Sequence, residues 1–254
     1  MQAVSEPSRL VGILGGMGPS ATADFYTKLI AHTPASVDQE HLRVVIWADP
    51  TVPNRQEAIL ADGPDPSPWL ETGIGQLLRC GAEIIVVPCN TVHKYLPPLM
   101  DGKTVEFISI IETTIDSVHR HALSGPVGLL ATDGALAAGI YQDALAEAGF
   151  DVALPSPEEQ ALLMEVVHQV KAGLSGPTLL RDMYSVLASL EQQGARTAVV
   201  GCTELSTLLS AESGAYPVKL IDPAVELAIA TVSRAVKHTS AGPGLVDSQH
   251  PTTD

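Results

Sequence analysis

Positive charge is scarce in this chain: its 254 residues carry 14 Lys plus Arg against 29 Asp plus Glu, a formal balance of −15. A field of that sign repels phosphate backbones and anionic lipids, which argues against nucleic acid or a membrane surface as partner. It also repels small anionic substrates, so a site for an anion needs a few basic side chains that reverse the potential locally. Long apolar runs are missing as well, and none approaches the roughly 18 residues that span a bilayer. The opening MQAVSEPSRL lacks a basic patch followed by an apolar stretch, so no secretory signal is visible. Cysteine is rare, at three. An odd count in a mid-sized chain without such a signal reads as reduced thiols and an expected cytoplasmic location.

What is present favours a core. At 45% hydrophobic and 17% charged, whole-chain disorder is excluded. The length corresponds to about 1.7 average domains, one large or two small. Short apolar runs at 10–14, 44–47, 84–87, 107–111, 127–130, 198–200 and 218–221 read as strands. Their β-branched, near-continuous hydrophobicity suits parallel sheets covered on both faces. Between them, stretches such as 21–31, 72–80, 139–148 and 158–171 read as helices, and this alternation means an α/β fold. Residues 1–8 and the Ser-, Gly- and Pro-rich tail 238–254 have little to bury and are expected to be unstructured.

An internal repeat organises the rest. Val11-Gly12-Ile13-Leu14 recurs as Val127-Gly128-Leu129-Leu130, and the run 82–91, ending Val87-Pro88-Cys89-Asn90-Thr91, recurs as 195–204, ending Val200-Gly201-Cys202-Thr203-Glu204. Repeat start and cysteine are 78 residues apart in the first copy (11 to 89) and 75 in the second (127 to 202). Each cysteine precedes the next strand-like run, at Val105 and Val218, by 16 residues. Two similar lobes facing one another across a cleft are expected, 9–123 and 124–223, with a final helix over 224–237 crossing back onto the first.

Cys89 and Cys202 each follow an apolar strand and precede a polar turn expected to open a helix. Ligands in open α/β sheets bind beyond the carboxyl ends of strands, and a helix N-terminus there favours a thiolate. A single buried cysteine is usually a small hydrophobe, but the repetition points both to function. Two thiols on opposite sides of a carbon acid suit stereoinversion, one removing a proton from one face while the other returns a proton to the opposite face. No cofactor is required for this. The difficult part is stabilising the carbanion, which calls for donors aimed at the substrate carboxylate. Asn90, Thr91 and Thr203 supply such donors.

Other candidates read less sharply. Cys80, with no counterpart in the repeat and Gly81 as a helix stop, reads as structural. Gly16-Met17-Gly18-Pro19-Ser20-Ala21 matches a dinucleotide fingerprint, with Asp38 about 20 residues on. Pro19 at a helix start favours instead a Gly-rich turn whose N–H groups approach a carboxylate. Arg55, in a loop beyond a strand end, is either a bidentate carboxylate clamp or a solvated cation, and spacing does not decide. Lys171 reads as a cation complementing a helix C-terminus, and His93, one turn after Cys89, either polarises the site or caps and packs, the second being the commoner use. Cys80, Cys89 and His93 match no zinc spacing and no H-E-x-x-H pair occurs, so no metal is expected.

The motifs VGILGGMGPSATADFY (11–26), DQEH (38–41), VPNRQ (52–56), VPCNTVH (87–93), LLATDG (129–134), VKAG (170–173) and VVGCTEL (199–205) resemble the aspartate/glutamate racemase family, in order over about residues 10–235. They are most similar to its cofactor-independent aspartate racemases. The resemblance implies two Rossmann-like lobes related by a pseudo-twofold, a small acidic amino acid as substrate, no cofactor and usually a homodimer. It implies Cys89 and Cys202 as the catalytic bases, Arg55 on the side-chain carboxylate and Lys171 as a substrate contact, overruling the structural reading of that lysine. It further places Met17, Asn90, Thr91, Thr132 and Thr203 around the substrate, with Glu204 supporting the second cysteine or the amino group. Three positions depart from the pattern: Ala135 where a Thr is usual, Asn54 for a common Asp, and Ser20 for Glu or Leu. They leave the thiols untouched and bear on substrate identity. Alternatives are a dicarboxylate isomerase or decarboxylase of the same two-cysteine kind, a nicotinamide oxidoreductase, and a non-catalytic amino-acid-binding module.

Overall fold

The apolar runs assemble into two parallel sheets. The computed structural model describes residues 8–122, 124–210 and 216–236; the expected unstructured ends, Ser8 apart, and Lys237 lie outside them. In the first sheet β1 (Val11–Gly15), β2 (Val44–Ala48), β3 (Ile84–Val86) and β4 (Glu106–Ile108) run in the order β2-β1-β3-β4. In the second, β5 (Val127–Leu130), β6 (Val152–Ala153), β7 (Thr197–Val200) and β8 (Lys219–Ile221) run in the order β6-β5-β7-β8. The two orders are the same, and so is the central pairing, Val11 opposite Ile84 and Val127 opposite Thr197. β1, β3, β5 and β7 are buried at every position, as parallel strands covered on both faces must be.

The helices that cover the sheets are α1 (Pro19–His32), α2 (Arg55–Leu60), α3 (Ser67–Arg79), α4 (Leu96–Met100), α5 (Ile110–His121), α6 (Asp133–Ala137), α7 (Gln142–Glu147), α8 (Pro157–Lys171), α9 (Pro177–Gln192), α10 (Thr203–Ser210) and α11 (Pro223–Ala235). Their starts follow capping chemistry. Ser156 and Glu159 form a reciprocal capping box on α8. Ser109 accepts from the N–H groups of Ile111 and Glu112 and so starts α5. That cap also ends β4 at Ile108, three residues short of the strand expected over 107–111. The expected helix 139–148 shortens to α7, whose first residue follows Tyr141. The two-residue β6 is too short to carry a periodic signal and is not legible in the sequence.

α11 follows the last strand of the second sheet but packs on the first. Its Ala224, Leu227, Ala228, Val232 and Ala235 lie in one cluster with Val11, Phe25, Leu29, Val86 and Ile110, against α1 and α5. Among the described residues no helix is long and apolar enough to cross a membrane.

Because Leu227 is fully buried in that cluster, Leu227→Ala is expected to lower unfolding free energy by about 2–5 kcal/mol. Urea titration reads this directly, and a loss under about 0.5 kcal/mol would mean that the helix is not integral to the first lobe.

Candidate active site

The loops after β3 and β7 meet at one small cavity. It is lined by Met17, Asn54, Arg55, Gln56, Cys89, Asn90, Thr91, Thr132, Lys171, Gly201, Cys202, Thr203 and Glu204. All ten residues that the sequence assigns to the site are therefore together, along with Asn54, Gln56 and Gly201, which it does not mark as contacts. Both thiols open into this one space, and both cysteines are buried and unbridged. The third, Cys80, caps α3 at the surface, away from the cavity.

Each sulfur sits where a parallel strand ends, but the two environments differ. The Cys202 carbonyl accepts the first bond of α10, from Ser206 N–H at 3.0 Å, so Cys202 stands at the helix N-terminus. Cys89 is followed instead by a 3-10 turn, Thr91–Lys94, before α4. The Cys202 thiol donates to Glu204 Oε2 at 3.2 Å, and the Thr203 hydroxyl reaches the same oxygen at 3.3 Å. Burial, and after it the charge of Glu204, push the Cys202 thiol well above its ordinary range. The N–H groups of Leu205 and Glu204 act the other way, as expected at a helix N-terminus, but burial wins.

The two cations reach the cavity from different lobes. Arg55 opens α2, capped by Asn54, whose side chain accepts from Gln56 N–H at 3.0 Å. The guanidinium donates to the carbonyls of Val52 (3.3 Å), Pro53 (3.1 Å) and Met17 (3.3 Å). Among the described residues no carboxylate pairs with it, so its charge is available to an anion. Lys171, the last residue of α8, lies 3.8 Å from Glu204 Oε1. It is 44% exposed where Glu204 is 14% exposed, so the pair contributes little stability but sets a positive group at the mouth. Gln56 Oε1 accepts from Gly134 N–H at 3.2 Å, tying α2 to α6 across the lobes.

His93 is removed from the cavity and does structural work on Cys89. Its Nδ1 lies 2.8 Å from the Cys89 carbonyl, and its Nε2 accepts from Ile110 N–H at 3.3 Å. The neutral Nδ1–H form satisfies both bonds and supplies a partner to a first-turn donor of α5. Burial lowers its pKa to about 4.

The Gly-rich turn serves close packing. Gly16 has φ +93°, and a Cβ there would fall 2.4 Å from the Asp49 backbone. Its N–H is already taken by Thr22 Oγ1 at 2.9 Å, and Asp38 lines a separate surface pocket with Tyr26 and His41. The elements of the dinucleotide fingerprint thus do not converge on one site. Thr132 caps α6 by accepting from Ala135 N–H, and buried Ala135 is not among the residues lining the cavity. Among the described residues no three His, Cys, Asp or Glu side chains are grouped to hold a metal.

The cavity measures about 30 Å³, room for a water or two and less than an amino acid fills. It adjoins a groove of about 720 Å³ that shares Asn54, Arg55, Lys171 and Glu204 with it.

The two parallel sheets of equal strand order agree with the outcome of comparison. The sequence model of the Asp/Glu/hydantoin racemase family matches residues 14–231. The chain belongs to this family. It is thereby an enzyme, an isomerase of the amino-acid racemase class. The broad specificity amino-acid racemase RacX of Bacillus subtilis is 28% identical over 238 residues, covering 91% of this chain and all of that protein. The aspartate racemase of Picrophilus torridus superposes with a TM-score of 0.77 at 28% identity, over 90% of this chain and 96% of that one. A glutamate racemase isoform of Bacillus anthracis, RacE1, shares the fold, with a TM-score of 0.64 at 19% identity over 89% of this chain and 80% of that one.

In this cavity, Glu204→Gln removes a charge that raises the Cys202 pKa, so more thiolate is present at a given pH. Iodoacetamide alkylation of Cys202 at pH 8, read by peptide mass spectrometry, is expected to rise about tenfold. An unchanged rate would remove Glu204 as a control on the thiol. His93 takes up its proton at about pH 6.5 when unfolded but at about 4 when folded. Its stabilising contribution is therefore complete above about 6.5 and declines as pH falls towards 4. Between pH 7 and 5 the fold should lose about 2 kcal/mol through this group. The loss should be absent from the pH dependence of His93→Gln, and an identical pH dependence in both proteins would contradict the assignment.

Proposed function

We propose that this racemase interconverts the enantiomers of an acidic amino acid, aspartate foremost, by a two-base mechanism in which Cys89 and Cys202 act from opposite faces of Cα. The observation that carries the reading is the shared cavity: thiols from equivalent strand ends of the two lobes open into one space whose mouth holds Arg55 and Lys171. The aspartate racemase of Picrophilus torridus supports aspartate, and the broad specificity racemase of Bacillus subtilis supports an amino acid, as the substrate.

In this scheme the substrate's side-chain carboxylate lies between Arg55 and Lys171. Its α-carboxylate takes donors from Asn90, Thr91, Thr132 and Thr203, which strengthen as negative charge develops at the carbanion. Met17 packs on the substrate's carbon chain. Cys202, held protonated by burial and by Glu204, is the acid at rest, and Cys89 is the base. After one turnover the protons have changed places, and the opposite enantiomer is processed in the reverse sense. Glu204, bonded to the Cys202 thiol and close to Lys171, accommodates the change in charge. No redox partner or bound cofactor is needed for the proton balance, since one proton leaves Cα and one arrives.

Purified protein incubated in D2O with L- or D-aspartate should incorporate deuterium at Cα and converge on a racemic mixture by chiral chromatography. Cys89→Ala or Cys202→Ala should each lower racemisation by about 10²–10⁴-fold, with exchange on one face surviving in some pairings of variant and enantiomer. Full activity in either variant would refute the two-base scheme. Conversion of maleate or a substituted malonate, with no racemisation, would favour the isomerase or decarboxylase alternative.

A further inference from the structure

Both cysteine loops touch the same buried side chain. Tyr141, between α6 and α7 in the second lobe, is fully buried among Val127, Leu129, Ala135, Leu145 and Val199. Its hydroxyl donates to Asn90 Oδ1 at 2.6 Å, a buried bond between residues 51 apart in sequence. Asn90 directly follows Cys89. The ring of the same tyrosine lies against Gly201, where a Cβ would sit 3.0 and 3.1 Å from two ring carbons. Gly201 directly precedes Cys202. We propose that Tyr141 is the positioning residue of this racemase, a rigid spacer that sets the Cys89 loop against the Cys202 loop across the lobe boundary and turns the Asn90 amide donors towards the substrate.

Three features lead to this assignment, which rests on the two-base reading above. First, a planar ring fixed at one end by packing on Gly201 and at the other by a short buried hydrogen bond has no soft torsion between the two loops. Two bases acting on one carbon need such a fixed separation, because misplacement by about 1 Å costs orders of magnitude in rate. Second, with Asn90 Oδ1 occupied by the phenol, the Nδ2 group is the part left to serve the cavity that Asn90 lines. An amide presenting donors suits a carboxylate, and an amide flipped to present oxygen would repel one. Third, the contact explains an asymmetry of the repeat. The residue before the first cysteine is Pro88, whereas the second copy has Gly201, the position against which the ring packs. Burial also keeps the phenol protonated through the working pH range, so it remains a donor, with the Thr114 hydroxyl beside it.

Tyr141→Phe tests the hydrogen bond while keeping the ring against Gly201. It is expected to lower kcat/KM for racemisation about tenfold and to change iodoacetamide alkylation of Cys89 while leaving that of Cys202 unaltered. The effect should vanish in an Asn90→Ser background, because the two residues act as one unit. Gly201→Ala tests the other end and should alter alkylation of Cys202. Alkylation is read by peptide mass spectrometry on folded protein, verified by its urea midpoint, and needs no turnover. Wild-type kcat/KM and alkylation in Tyr141→Phe would overturn the proposal, as would a loss in Tyr141→Phe that adds in full to that of Asn90→Ser. A wild-type protein that racemises no amino acid would instead overturn the two-base reading, while the alkylation results would still judge the spacer.

Discussion

A parallel strand delivers whatever follows it to the carboxyl edge of its sheet, and in this protein that edge is where two lobes meet. β3 and β7 occupy the same place in sheets of the same order, so the residues that follow them, Cys89 and Cys202, arrive at one cavity from opposite lobes. Every other feature of the site is arranged around that meeting. α2 brings Arg55, α8 brings Lys171 and α6 brings Thr132, each from an element end near the same edge. α11 then returns to the first lobe, so that the chain closes across both sheets.

Electrostatics adapts an acidic molecule to an anionic ligand. The chain as a whole repels carboxylates, but among the described residues Arg55 donates to main-chain carbonyls of Val52, Pro53 and Met17 and pairs with no carboxylate. Lys171 is partly offset by Glu204, which at the same time faces the Cys202 thiol. One carboxylate thus links a cation lining the cavity with one of the two sulfurs. The helix N-terminus at Cys202 would by itself favour a thiolate; desolvation outweighs it because the sulfur is nearly sealed from water. The Cys89 side, entering a 3-10 turn and braced through its carbonyl by His93, is built differently, and the duplicated sequence thereby yields two thiols in unequal surroundings.

Much of this was legible because repetition and hydrophobic period are local signals. The strands at 11–15, 44–48, 84–86, 127–130 and 197–200 announce themselves by β-branched residues in unbroken runs, and the cysteine spacing shows through the duplication. Boundaries were less legible where a cap competes with a strand, as at Ser109, and β6 carries too few residues for any period. Lys171 looked like a helix terminus, which it also is. Its approach to Glu204 depends on how α8 lies beside α10, and no spacing along the chain reports that. His93 was legible as a packing residue, but its two partners, the Cys89 carbonyl and the Ile110 N–H, lie on separate elements. Nothing marked Tyr141, because a buried tyrosine between two short helices resembles any other aromatic core residue until its hydroxyl is seen to end on Asn90.

The sequence alone determined the class of fold, the duplication, the placement of a cysteine after an equivalent strand in each copy, and the scarcity of positive charge that makes each cation count. These follow from residue type and from order along one dimension. Tertiary structure decided which cation is free of carboxylates among the described residues, which thiol burial and a carboxylate push upward, how small the space between them is, and which residue spans the two loops. Those are matters of distance and solvent exclusion between segments far apart in the chain, and they come into being only when the loops of the two lobes meet and water leaves.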